Sequence, residues 1–155
     1  MLIIGDKAPL DVIVEDSNGQ AVSLRNYLGK MIVLYFYPKD DTPGCTKEAC
    51  SIRDWRAEIT KRRVEVIGVS KDSPASHKKF IQQYNLNFTL WSDHDHKLME
   101  AFGTWQEKSF MGRKYMGTTR STFLVDPKGI ITMVWEKVTP DDHGKEILDR
   151  IDQGL

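Results

Sequence analysis

The stretch 35-YFYPKDDTPGCTKEACSIRDW-55 decides how this chain is read, because an apolar run ends there, turn residues follow, and a cysteine stands at the threshold of an amphipathic helix. Met31 to Tyr37 is an unbroken apolar run, rich in β-branched and aromatic residues, which suits a strand buried on both faces. Pro38, Asp40, Asp41, Pro43 and Gly44 then form a turn cluster. From Cys45 onward the apolar positions Ala49, Ile52 and Ile59 recur at helical spacing and predict a helix that ends near Arg62. Cys45 falls in the first turn of that helix, where N–H groups without intrahelical partners and the positive end of the dipole favour an anion. The anion this position favours is a thiolate.

Working outward, Val64 to Ser70 is a second apolar strand, so strand, helix and strand predict a right-handed βαβ unit with a parallel pair. The cysteine loop then lies at the carboxyl end of the first strand, where open α/β sheets place their ligands. Upstream, Asp11 to Val14 and Ala21 to Leu24 read as short strands of an N-terminal hairpin turning at Asn18-Gly19. Downstream, Pro74 opens a helix with Phe80, Ile81 and Tyr84 on its buried face. His77 shares that face and reads as a residue at the edge of the core, since no acid or nucleophile stands beside it in sequence. Phe88 to Trp91 predicts a short strand, and "SDHDHKLM" a polar turn in which Ser92 caps a short helix carrying Leu98, Met99 and Phe102. Residues 103–120 show no clean period and predict a loop or an irregular strand pair. Thr122 to Val125 and Ile130 to Trp135 form a hairpin through Asp126 to Gly129. Thr139, Pro140 and Asp142 resemble a capping box opening a last helix, with Ile147, Leu148 and Ile151 facing inward.

The 155 residues suit a single domain over 1–155, and 22 basic residues balance 22 acidic ones without a long block of either sign. That distribution gives no electrostatic footprint for nucleic acid or an anionic membrane. The run Lys61, Arg62, Arg63 closes the predicted helix, where cations complement the dipole. The N-terminal "MLIIGDKAPLDV" has too short an apolar start for a signal peptide or a membrane span, so a cytoplasmic protein is expected. Two cysteines make no disulfide scaffold, and a reducing compartment keeps them as thiols at rest. Their spacing lacks the short Cys-x-x-Cys of a zinc site, and His94 and His96 around Asp95 read as turn residues, so no metal is expected.

A free thiol is mostly protonated at neutral pH, and activating it as a fast nucleophile takes several kcal/mol of preferential anion stabilisation. A helix N-terminus supplies only about 0.3–2 kcal/mol, so a cation and hydroxyl donors are also required. Thr42 can place a hydroxyl beside the sulfur. Arg120, at a strand end in a polar, Gly- and Thr-rich stretch, is the candidate cation on topology. Cys50 lies five residues beyond Cys45, and two helical residues at that spacing have Cα atoms roughly 8–9 Å apart. A disulfide needs about 7 Å or less, so pairing would require the first turns of the helix to unwind. Cys50 reads equally well as a buried small hydrophobe or as a second reactive thiol.

The stretch "YFYPKDDTPGCTKEAC" resembles the active-site segment of the peroxiredoxin Q family, also called bacterioferritin comigratory protein. "GDKAP", "VIGVSKDS", "WSD" and "GTTRSTFLVDPKGII" recur in the family's order, and Pro38, Thr42, Cys45 and Arg120 match its signature. The resemblance implies an α/β, thioredoxin-like fold with a central mixed sheet flanked by helices, and a thiol peroxidase acting on hydrogen peroxide and organic hydroperoxides. Cys45 would be the peroxidatic cysteine, Thr42 would orient the peroxide, Arg120 would hold the thiolate, and Pro38 would shield the site from water. Glu48, one turn after Cys45, would tether Arg120. Cys50 matches the resolving cysteine, giving an intramolecular Cys45–Cys50 disulfide that thioredoxin or a similar dithiol protein reduces. The resemblance calls for no cofactor and implies a monomer. A thiol-disulfide oxidoreductase on the same fold and a redox sensor are the alternatives. Residues near Trp91, Trp105 and the irregular stretch are expected to set peroxide preference.

Overall fold

The computed structural model describes residues 1–154. Seven strands form one mixed sheet: β1 Val14–Asp16, β2 Ala21–Val22, β3 Met31–Phe36, β4 Val64–Ser70, β5 Thr89–Ser92, β8 Ser121–Val125 and β9 Ile131–Trp135, in the spatial order β2-β1-β5-β4-β3-β8-β9. Between β5 and β8 the chain makes a separate two-stranded sheet, β6 Trp105–Phe110 with β7 Arg113–Thr118. The helices are α1 Pro43–Lys61, α2 Pro74–Tyr84, α3 Lys97–Phe102 and α4 His143–Asp152.

The apolar run at 31–37 lies near the centre of the sheet because both of its faces are apolar. It pairs in parallel with β4, across α1, and antiparallel with β8. Val33, Tyr35 and Tyr37 face one hydrophobic layer, with Cys45, Ala49 and Ile52 of α1, Phe80 of α2 and Ile147 of α4. Ile32, Leu34 and Phe36 face the other layer, with Leu98, Met99 and Phe102 of α3 and Phe123 of β8. This alternation of side chains along one strand builds both halves of the core.

Four local expectations are corrected by the structure. The N-terminal hairpin forms, but its first strand is Val14–Asp16 rather than Asp11 to Val14. Residues just upstream are engaged elsewhere: the Leu10 carbonyl accepts from Arg25 N, and Asp11 pairs with the Arg25 guanidinium at 2.6 Å. Its second strand stops at Val22, and Leu24 enters a 3-10 turn. Ser92 does not cap α3. The Asp93 carboxylate accepts from the backbone N–H groups of Leu98 and Met99 at 3.1 and 2.8 Å, while the Ser92 hydroxyl donates to the Asp72 carbonyl. The capping box at Thr139 does not form either, because a 3-10 turn, Pro140–Asp142, intervenes before α4. One of the first N–H groups of α4, that of Gly144, is taken by the Ser51 hydroxyl on α1 at 2.9 Å. The stretch without a period, 103–120, is a regular antiparallel hairpin, which stands apart from the main sheet and so lacks the buried face that would have shown as alternation. The run at 61–63 serves the helix end: Lys61 pairs with Glu58, and Arg62 with Glu58 and Asp152.

Candidate active site

The site forms where β3 hands the chain to α1. Thr42 is the N-cap in extended conformation, Pro43 opens the helix, and Cys45 is its third residue. Pro at the first position loses no hydrogen bond, and the N–H groups of Gly44 and Cys45 have no intrahelical carbonyl to reach. Cys45 is 2 % exposed and packs under the sheet layer of Tyr35 and Tyr37.

The cation is Arg120. The antiparallel register pairs Phe36 with Ser121, which brings the residue before Ser121 to the end of β3, beside the cysteine loop. Arg120 Nη2 donates to Cys45 Sγ at 3.2 Å, and Nη1 donates to Glu48 Oε1 at 2.5 Å. One guanidinium therefore spans thiol and carboxylate, the planar two-pronged geometry that arginine offers and lysine does not. Glu48 is wholly buried, its second oxygen has no partner, and burial pushes its carboxyl up to about 7 despite the opposing pull of Arg120. Tyr35, also fully buried, brings a second unpartnered oxygen close to this charge, and burial raises its phenol well above the ordinary value, with Glu48 and Cys45 adding to the effect.

The sequence-predicted residues Cys45, Glu48 and Arg120 are thus brought into direct contact. Thr42 is close in the chain, but its hydroxyl donates to the Lys39 carbonyl at 2.9 Å. That proton is not offered to the sulfur in this conformation, since a hydroxyl has a single donor. Pro38 is half-buried at the loop's start. Cys50 is partly buried further along α1, and both cysteines are free thiols. Trp91 is fully buried in the opposite layer of the core, and Trp105 packs against that same layer with its ring stacked on His96 at 3.8 Å. Both rings therefore lie across the sheet from the layer that holds Cys45.

Two groups escaped the sequence reading. Asp40, one of the turn residues, accepts from the Tyr37 hydroxyl at 2.6 Å and the Ser76 hydroxyl at 2.8 Å, and meets His77 Nδ1 at 2.7 Å. Its own N–H donates to Asp72 Oδ2 at 2.8 Å. His77 Nε2 meets the Trp91 carbonyl at 2.9 Å, so His77 lies in the core, beside an acid, rather than at its edge. The pair fastens the loop before α1 to α2. His143, at the start of α4, meets the Thr122 hydroxyl at 2.7 Å. Burial, with the charge of Arg120 adding to it, pushes it down to about 3, so the ring is neutral. No local signal marks either contact, because the partners are 37 and 21 residues apart.

A buried thiol at a helix N-terminus, bridged by arginine to a carboxylate on an α/β fold, defines the class of thiol peroxidases. Comparison with known proteins gives the particular family. Residues 4–134 match the model of the AhpC/TSA family. The peroxiredoxin Bcp of Bacillus subtilis (strain 168) is 48 % identical over 148 residues, covering 96 % of this chain and 94 % of that one. The peroxiredoxin Bcp of Escherichia coli K12 is 43 % identical over 145 residues, covering 94 % and 92 %. Among solved structures, Xanthomonas campestris peroxiredoxin Q superposes with a TM-score of 0.91 at 35 % identity, covering 99 % of this chain and 97 % of that one. The same organism's bacterioferritin comigratory protein has been solved as trapped intermediate and ligand complexes bearing on its alkyl peroxide reduction activity. This chain belongs to the AhpC/TSA family, in its peroxiredoxin Q or Bcp branch, with the thioredoxin-like fold of those proteins. It is a thiol-dependent peroxidase, an oxidoreductase whose substrates are a peroxide and a thiol reductant. Among the described residues, no helix is long and apolar enough to cross a membrane.

Proposed function

We propose that Cys45 is the peroxidatic cysteine of this enzyme and Cys50 its resolving partner, with hydrogen peroxide and organic hydroperoxides as substrates. The observation that carries this reading is the Arg120 guanidinium shared between Cys45 Sγ at 3.2 Å and Glu48 Oε1 at 2.5 Å. The Cys45 thiolate attacks the terminal peroxide oxygen and the O–O bond breaks. Sulfur keeps the hydroxyl as sulfenic acid, and the departing oxygen takes a proton and leaves as water or alcohol. Arg120 holds the thiolate and stabilises charge on the breaking bond, alongside the free N–H groups at the start of α1. Thr42 turns its hydroxyl from the Lys39 carbonyl to the bound peroxide, and Pro38 limits access of water. Glu48 acts through Arg120 as a positioning residue, so unchanged peroxide kinetics in Glu48→Gln would sink that assignment.

The Cys50 thiol then condenses with the sulfenic acid, releasing water and forming the Cys45–Cys50 disulfide. The two residues sit five apart on one helix, so the first turns of α1 open for this step and re-form after reduction. Thioredoxin or a similar dithiol protein reduces the disulfide by exchange. The chain acts as a single cytoplasmic domain and as a monomer. Sustained turnover with a dithiol reductant separates this enzyme from a sensor that is oxidised once and passes the signal on.

Intact mass after brief exposure of the reduced protein to one equivalent of hydrogen peroxide tests the assignment. The parent is expected to lose two hydrogens, Cys50→Ser to gain one oxygen, and Cys45→Ser to remain unchanged. A parent that gains oxygen without losing hydrogens removes Cys50 from its role. Oxidation of Cys45→Ser at the parent's rate removes Cys45.

A further inference from the structure

The β6–β7 hairpin carries side chains that the peroxidase reading leaves unused. Its register pairs Gln106 with Gly117, Lys108 with Tyr115 and Phe110 with Arg113, so these residues share one face. Every charge on that face is positive, and neither Lys108 nor Arg113 pairs with an acid among the described residues. The acid of the hairpin, Glu107, lies on the other face, where it meets Lys114 at 3.8 Å. A Cβ at Gly117 would lie 3.1 Å from the Tyr115 ring and 3.2 Å from the Lys108 stem, so aromatic and cationic side chains lean together over the glycine. Phe110 is 68 % exposed, Met111 88 % and Tyr115 50 %.

The tip breaks a local rule. Met111 and Gly112 are the two turn residues, both with positive φ, at 51° and 80°. This is the type I′ geometry that prefers Asn-Gly, and methionine in the left-handed region is strained. Nothing in the fold compensates, since the side chain is almost wholly in solvent. Local rules broken without an intramolecular gain are expected at functional positions.

We propose that this hairpin tip docks the protein onto an anionic phospholipid bilayer, with Phe110 and Met111 entering the interface and Lys108 and Arg113 meeting the headgroups. Charge complementarity argues for an anionic surface, and shape argues for lipid. A projecting two-residue tip presents far less than the ~800 Å² per partner of a stable protein interface, whereas a bilayer accepts a convex apolar wedge without a matching pocket. The base of the hairpin runs directly into Arg120, so docking holds the cysteine site on the order of 20 Å from the surface, the length of the strand.

Co-sedimentation of the full-length reduced protein with vesicles tests this without peroxide, and so independently of the roles assigned to the cysteines. Binding is expected at low ionic strength to an equimolar mixture of phosphatidylcholine and phosphatidylglycerol, and to be lost on pure phosphatidylcholine. Lys108→Gln and Arg113→Gln should each weaken it about fivefold, the equivalent of ~1 kcal/mol per cation. Met111→Asn supplies a residue suited to the turn, so it should raise thermal stability while weakening vesicle binding, with hydrogen peroxide turnover unchanged. Three results would overturn the proposal: no binding to anionic vesicles, binding that all three substitutions leave intact, or a concentration-dependent dimer broken by Phe110→Ser in a protein that ignores vesicles.

Discussion

Replacing Glu48 by glutamine tests the electrostatics of the site through stability rather than turnover. The carboxyl is wholly buried, one oxygen bonds Arg120 and the other bonds nothing, and burial moves its titration from 4.5 to about 7. Between those two values the folded chain holds a proton that the unfolded chain has released. Stability contributed by the protonated carboxyl is therefore complete below 4.5 and is lost as pH rises to about 7. The interval corresponds to about 3 kcal/mol. Glutamine keeps the shape and does not titrate, so the stability of the variant relative to the parent should grow by about 3 kcal/mol across the same window and level off above it. The exchange of the neutral acid for an amide beside Arg120 offsets the whole curve without changing its slope, and His143 titrates alike in both proteins. The assay is urea unfolding at a series of pH values, in a Cys45→Ser background that removes the thiol from the comparison. Parallel curves for the parent and the Glu48→Gln variant would refute a carboxyl that is neutral in the fold near neutrality.

Three further outcomes are expected. His143 is held neutral, its titration moved from 6.5 to about 3, so the unfolded chain takes up the proton first and stability falls as pH drops through that window. His143→Gln should remove up to about 5 kcal/mol of that acid sensitivity, the first part of which urea midpoints at mildly acidic pH would detect. A Cβ at Gly144 would stand 2.3 Å from the Ser51 carbonyl oxygen and 2.9 Å from the Trp55 ring, so Gly144→Ala should separate α4 from α1 and cost about 2 kcal/mol or more in thermal or urea unfolding. Gly44→Ala improves helix propensity but places its Cβ 3.2 Å from Arg120 Nη2, which Glu48 holds in place. Its peroxide reaction, followed by stopped-flow tryptophan fluorescence, should be slower with stability unchanged or higher; an unaltered rate would mean that the guanidinium yields freely.

Much of this architecture was legible in the sequence because it depends on neighbours. The apolar run at 31–37, the turn cluster and the helical spacing after Cys45 are short-range patterns, and they placed the thiol at a helix N-terminus before any contact was known. The same local logic misled where two residues compete for one role. Ser92 and Asp93 are both good caps, and the choice fell to Asp93, whose two carboxylate oxygens reach the N–H groups of Leu98 and Met99 while Ser92 turns to the Asp72 carbonyl. Thr139 lost its role to an intervening 3-10 turn. The cations at 108, 113 and 114 form no block in the chain, yet hairpin register brings two of them onto one face.

What the sequence by itself determined is the order and type of the elements and the place of Cys45 on them, since backbone preference and hydrophobic period act within a few turns of chain. Only the tertiary structure decided which charges meet. Arg120 reaches Cys45 across 75 residues because β8 pairs with β3 in one register, and a slip of one residue would turn the side chains of β8 to the opposite face of the sheet. Glu48, sealed beside Arg120, likewise takes its protonation from burial, and Asp40 with His77 takes its hold on the loop from a pairing that no stretch of the chain carries on its own.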